Sequence, residues 1–435
     1  MSVIAPKFRL GYLIKGITDN IFWIIVLLTL LGIPAIQIVL IYIDFPVIDG
    51  EIWNPFRVFD AMTHPERALP LVKNFMQTDL FKIVAFPGFG FAALIAAGTI
   101  FVERKLLAKL QLRVGPFYCG KVEGILQLMS DGLKLISKEI IIPAKADKPL
   151  FWAAPVLFAA TAAAFVALIP VAPGMIIADI DLGLLAVFAV IGFFPIITIV
   201  SAWSANSKFP FIGGIRALYQ MVSFEIPLIL SLLGIVMLSG TLSLVGIVES
   251  QVNFPWIIFM PIGAVVFFIC ILAELERIPF DLPEAESEIV AGWLTEFSGM
   301  MYGLVQLGTY LKLYAFAALF VVLFLGGWNG PWVYPIEPIA EMITDGVVLM
   351  PGALTLEVVG LPIFSQEMIN GTIWFILKTV GVIFVILLPR GVFPRIRIDL
   401  LLHIGWYKLI VLAFINIFIA LALVYSGIIG PGGIL

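Results

Sequence analysis

The chain has 435 residues, of which 62% are hydrophobic and only 12% charged, with a formal net charge of −4. Soluble domains carry about a quarter charged residues, so these proportions exclude a water-soluble globular protein and describe a polytopic, all-α membrane protein. Two cysteines (Cys119, Cys270) and two histidines (His64, His403) stand far apart. That spacing offers no local iron–sulfur, haem or zinc signature, so no metal site is expected. Any electrons must arrive from elsewhere, and no nucleic-acid partner is expected.

The chain opens on a basic stretch, Lys7, Arg9 and Lys15, that leads into an apolar run over 21–43. That run is too long for a signal-peptide core and no small-residue cleavage site follows it, so it reads as a retained first helix. Crossing a bilayer takes about 20 apolar residues. Nine stretches qualify, at 22–43, 81–102, 150–171, 183–203, 221–247, 255–273, 297–326, 368–389 and 406–428. Prolines inside them are tolerated where neighbouring helices or water satisfy the freed carbonyls.

Between the second and third stretches, residues 103–149 hold nine basic and five acidic side chains. At 100° per residue, Val122, Ile125, Leu126, Met129, Leu133 and Ile136 fall on one stripe of a helix. Glu123, Gln127, Ser130, Asp131, Lys134 and Lys138 fall opposite. Such a helix lies in the membrane surface. A loop that merely orients the protein is the simpler alternative.

With the N-terminus inside, the inner segments hold eighteen basic residues and the outer segments three. This is the positive-inside pattern, and an odd number of crossings puts the C-terminus outside. Neither a 20–50-residue repeat nor a matched pair of interrupted helices is visible, which weakens a transporter built from inverted repeats.

One inner segment departs from that pattern. Glu274, Glu276, Asp281, Glu284, Glu286, Glu288 and Glu296 share it with the single cation Arg277, and Glu225 stands near the inner end of the fifth stretch. Acidic residues contribute little to orientation. Crowded, partly desolvated carboxylates disfavour one another's charged forms, as a proton relay requires. A solvated acidic face that docks a basic partner is the alternative. Lys312 and Lys378, inside the seventh and eighth stretches, are buried-cation candidates; Lys378 is expected to face a polar seam or a carboxylate.

Several motifs in order carry a resemblance. They are Glu103-Arg104-Lys105, Gln111-x-Arg113-x-Gly115-Pro116, Leu126-Gln127, Asp131, Lys134-Leu135 and Lys138-Glu139. They continue through Arg216-Ala217, Gln220, Ser223-Phe224-Glu225, Ala273-Glu274 and Arg277-x-Pro279-Phe280-Asp281-Leu282. Glu284-Ala285-Glu286-Ser287-Glu288, Glu296, Phe324-Leu325-Gly326-Gly327-Trp328, Pro394-Arg395-x-Arg397, Asp399 and Gly405-Trp406 complete the set. Together they resemble the membrane subunit that forms the quinone site of proton-pumping NADH:quinone oxidoreductase, respiratory complex I, known as the H-type subunit in bacteria and as the first subunit in mitochondria.

The resemblance implies a quinone-tunnel membrane domain over 81–428, with an N-terminal extension over 1–80 and an outer tail at 429–435. It implies a tunnel for ubiquinone or menaquinone shaped by Arg104, Gln111, Arg113, Asp131, Arg216, Arg277, Phe280 and Asp281. A proton-coupling chain of Glu225, Glu274, Asp281, Glu284, Glu286, Glu288 and Glu296 would follow. FMN and iron–sulfur clusters would sit in soluble partner subunits on the inner face. Antiporter-like and small membrane subunits would pack alongside in a bacterial cytoplasmic membrane. Departures include Phe117, Cys119, Leu128, Ala285, Ile398 and Leu400, and above all Thr309 before Tyr310, where the family usually has Glu. Two other readings stay open: the equivalent subunit of a complex oxidising a reduced deazaflavin, ferredoxin or hydrogen, and an autonomous ion/proton antiporter.

Overall fold

A computed structural model describes residues 79–84, 86–119, 124, 126–331, 366–426, 429–430 and 433–434. The expected first crossing at 22–43, nearly all of the 1–80 extension and the side chain of Glu286 lie outside the described residues. The described residues form helices joined by turns, apart from a two-residue antiparallel pairing of Ile429–Gly430 with Gly433–Ile434. Its helices are α1 (Asp79–Val84), α2 (Phe89–Leu110), α3 (Gln127–Ser137), α4 (Lys148–Ala167), α5 (Gly183–Ile191), α6 (Phe193–Ser204), α7 (Lys208–Ser239) and α8 (Leu244–Glu249). After them come α9 (Pro261–Glu274), α10 (Glu286–Ile289), α11 (Gly299–Phe324), α12 (Gln366–Leu387), α13 (Pro389–Val392), α14 (Ile398–His403) and α15 (Ile410–Tyr425).

Among the described residues, seven segments are long and apolar enough to cross a membrane. They fall on seven of the expected intervals, with corrections at the ends. The segment 103–149 is not one loop: α2 carries its helix to Leu110, so Glu103, Arg104 and Lys105 sit on it. Leu, Ala, Lys, Arg and Glu are all strong helix formers, and propagation does not stop where lipid contact stops. The fifth crossing likewise starts at Lys208 and stops at Gly240, which takes the left-handed conformation that ends a helix (φ 70°). The fourth is two helices, α5 and α6, meeting at Gly192. The sixth is short. Pro255 and Pro261 bracket a turn, and α9 begins only at Pro261, a favoured first position.

α11 is the central pillar, packed by α2, α4 and α12. Every residue from Leu311 to Phe324 on it is buried, as expected of a helix apolar on all sides. Its close approach to α4 depends on Gly308, where a Cβ would lie 2.7 Å from Cδ1 of Phe158. Beyond the end of α11, Lys378 of α12 finds a polar seam rather than a carboxylate. Its ammonium donates to the carbonyls of Leu325 (2.7 Å), Gly327 (3.1 Å) and Asn329 (2.5 Å).

The amphipathic helix is present as α3. Val122 and Ile125 of its expected stripe lie outside the described residues. Leu126, Met129 and Leu133 are exposed, the face an interfacial helix presents to lipid. The other flank meets the body, with Leu135 against Gly303 of α11.

Candidate functional site: an ionisable cluster at one end of the bundle

The acidic segment after α9 is folded tightly back on the bundle. One amide ties the end of α9 to the turn that follows it: Nε2 of Gln220 on α7 donates to the carbonyls of Ala273 (2.7 Å) and Phe280 (2.8 Å). The ring of Phe280 packs at 5.3 Å from that of Phe224. Gly292 takes φ 56°, and a Cβ there would sit 1.6 Å from the carbonyl oxygen of Pro283, so only glycine fits. Glu276 and Val290 adopt positive φ without being glycine (51° and 66°), a conformation that costs about 1–3 kcal/mol each and concentrates at functional loops.

Glu103 is the hub of a first cluster. Its carboxylate, 3% exposed, accepts from the guanidiniums of Arg277 and Arg390 and from the Tyr310 hydroxyl at 2.9 Å. Arg277 also lies 5.1 Å from the Tyr310 ring centre, a cation–π contact. Four parts of the chain thus meet on one carboxylate: α2, α11, α13 and the loop after α9.

A second cluster lies deeper. Lys312, 2% exposed and halfway along α11, donates to the backbone carbonyl of Glu274 at 2.6 Å and to its carboxylate at 3.4 Å. Glu274 is 1% exposed, and its second oxygen has no hydrogen-bond partner. The ammonium also stands 4.3 Å over the Phe194 ring. Glu225 of α7 is half-buried and reaches toward the α5–α6 junction, where a Cβ on Gly192 would lie 3.3 Å from its Oε1.

The remaining side chains of the expected set divide into pairs. Arg104 binds Asp131, which also accepts from Gln127 at 3.0 Å. Arg216 binds Glu288 at 2.5 Å, and Arg395 binds Asp281 at 3.0 Å. Gln111 and Arg113 bond to each other at 2.8 Å on an exposed turn, apart from these pairs. Glu284 and Glu296 are half-buried in the acidic segment. The site sets implied by the resemblance left out two functional candidates. Glu103 was visible only as part of a charged motif. Glu276 accepts from the Trp293 indole at 3.2 Å, while its Oε1 is sealed away with no hydrogen-bond partner.

The loop carboxyls titrate according to these contacts. Desolvation, then the charge of Glu284, push Glu276 above the ordinary carboxylate range. Burial also raises Asp281, outweighing the bond and charge of Arg395. For Asp131 desolvation is outweighed by the bonds from Arg104 and Gln127, and its carboxyl falls below the usual range. The site therefore includes acids of opposite tendency, as proton handling at neutral pH needs.

Crossing helices with a buried lysine–carboxylate pair, roofed by arginine–carboxylate pairs, define a helical integral membrane protein with an internal ionisable core. The family described as NADH dehydrogenase matches residues 83–421. The chain is 41% identical to the H-type subunit of NADH-quinone oxidoreductase from Geobacillus sp. (strain WCH70) over 343 residues, 78% of this chain and 93% of that relative. It is also 41% identical to the protein of the same name from Bacillus thuringiensis (strain Al Hakam) over 340 residues, 78% of this chain and 90% of the relative. The chain belongs to this family, that of the H-type membrane subunit of NADH-quinone oxidoreductase.

Proposed function

We propose that this chain is the quinone-tunnel and coupling subunit of a proton-translocating NADH:quinone oxidoreductase. The observation that carries the reading is the coincidence, in a member of this family, of the Arg277–Asp281 turn with the carboxylate-and-lysine core directly behind it. A ubiquinone or menaquinone headgroup, entering from the bilayer, binds among Arg104, Asp131, Arg216, Arg277, Phe280 and Asp281, with Gln111 and Arg113 on the turn that shapes its rim. Reduction of quinone consumes two electrons and two protons. The electrons come from FMN and iron–sulfur clusters in soluble subunits docked on the inner face.

The chain's own residues position the headgroup and handle protons. Reduction disturbs the ion pairs of Asp281 and Glu288, and the rearrangement passes through Glu284, Glu286 and Glu296 to Glu274 and Glu225. From there it reaches antiporter-like and small membrane subunits alongside. The domain over 81–428 performs this work in a bacterial cytoplasmic membrane, N-terminus inside and C-terminus outside.

Two measurements on the assembled complex test the reading. A photoreactive quinone is expected to label peptides of this chain within 103–139 or 274–298, and excess quinone suppresses the labelling. Labelling confined to other subunits removes the tunnel assignment. In the same complex Glu274→Gln is expected to abolish proton translocation, and full translocation in that variant removes the relay.

A further inference from the structure

A lysine is almost never fully buried without a partner, because an ammonium leaving water loses several kcal/mol or more of solvation. Lys312 is fully buried, yet its partnership is incomplete. The short contact, 2.6 Å, goes to a backbone carbonyl; the carboxylate of Glu274 lies at 3.4 Å. That is beyond the roughly 2.7–2.9 Å of a charge-assisted bond. Two aromatic rings also flank it, Phe194 at 4.3 Å and Phe316 at 5.8 Å. Such a cage stabilises a cation without fixing it to one anion. Glu274 keeps one oxygen without a hydrogen-bond partner.

The groups around the ammonium come from several elements. Glu225 faces it from α7, Glu274 and the Cys270 thiol from α9, and Glu276 from the loop beyond; each interacts electrostatically with Lys312 or Glu274. Thr309, one turn earlier on α11, bonds to the carbonyl of Val305 at 3.1 Å and brings no charge. One cation therefore serves three carboxyl groups. It neutralises one at a time, and the four-carbon stem of lysine allows its head to change partner.

We infer that Lys312 is a positioning residue whose ammonium moves between Glu274 and Glu225, and that its place decides which of the two carboxyls is ionised. With the ammonium at Glu274, Glu274 is the anion and Glu225 holds a proton. When the ammonium moves to Glu225, that group releases its proton onward and Glu274 takes one up from the Glu276 side. One proton leaves, one enters, and Lys312 keeps its own throughout. The inference rests on the relay reading above and supplies the moving part which that reading lacks.

The test uses the assembled complex in proteoliposomes, with proton translocation and redox-induced infrared difference spectra recorded together. A carboxyl band that disappears in Glu274→Gln belongs to Glu274. Lys312→Met is expected to lose both that band and proton translocation per electron. If Lys312→Met keeps both while Glu274→Gln loses them, the inference falls and the relay stands. If both variants translocate normally, both fall. Should Lys312→Met fail to assemble, Glu225→Gln decides: with Glu225 no longer able to draw it away, the ammonium stays at Glu274 and the Glu274 band is lost. An unchanged Glu274 band in Glu225→Gln overturns the inference.

Discussion

Two carboxylates with similar motif neighbours differ greatly in what their loss costs. Glu103 is buried and holds two guanidiniums and a phenol. Removing one partner of a buried ion pair costs about 3–5 kcal/mol, because the remaining charge is left without compensation. Glu103→Gln is therefore expected to lower the melting temperature of the complex and to abolish quinone reduction, since Arg277 loses its anchor. Asp131 stands on a half-exposed pair with Arg104, and exposed pairs contribute about 1 kcal/mol or less. Asp131→Asn should leave the melting temperature nearly unchanged; an equal loss in both variants contradicts the hub. The motif at 103–105 was legible in the sequence, but its partners were not. Arg390 lies 287 positions away, and no periodicity reports a contact at that range. Lys312 was legible as a buried cation because charge inside an apolar run is costly. Its anchor on the Glu274 carbonyl was not, because hydropathy carries no information about backbone acceptors.

At the level of elements, hydropathy located the seven crossings found among the described residues and misjudged their ends. It marks lipid contact, whereas helix ends follow propensity and caps, so α2 runs past its apolar stretch, α7 starts ahead of its own and stops early, and α9 falls short. The shortness of α9 matters for the site. It brings Glu274, the last residue of α9, to the middle of α11 at Lys312, and the acidic segment starts from there. The seat of α11 on α4 fixes this level. Gly308 touches Phe158 and the backbone of Ala159 with no room for a side chain. Overpacking a close helix contact costs about 1–3 kcal/mol. Gly308→Leu is expected to lower thermal stability by that amount and to reduce coupled activity through misplacement of Lys312. Wild-type stability and coupling in this variant argue against the rigid seat.

For the whole molecule, the eighteen-to-three division of basic residues in the sequence is a prediction of orientation. The ends of helices that carry Arg104, Arg216, Arg277, Arg390 and Arg395 converge on one side, where the ion pairs form. The opposite side holds the turns at 172–182 and 250–256, which carry no basic residue. If the positive-inside rule sets the orientation, the arginine side faces the cytoplasm and the quinone tunnel opens toward it. Val252, on the turn after α8, and Val392, the last residue of α13, are both exposed (68% and 67%) and lie at opposite ends of the bundle. In a Cys119→Ser background, with Cys270 buried, a membrane-impermeant thiol reagent applied to intact cells is expected to label Val252→Cys and spare Val392→Cys. Inverted vesicles should give the reverse. The opposite labelling would place the acidic segment outside. Soluble electron-delivering subunits on the inner face could not then reach it, and the arrangement proposed for this chain would fail as a whole.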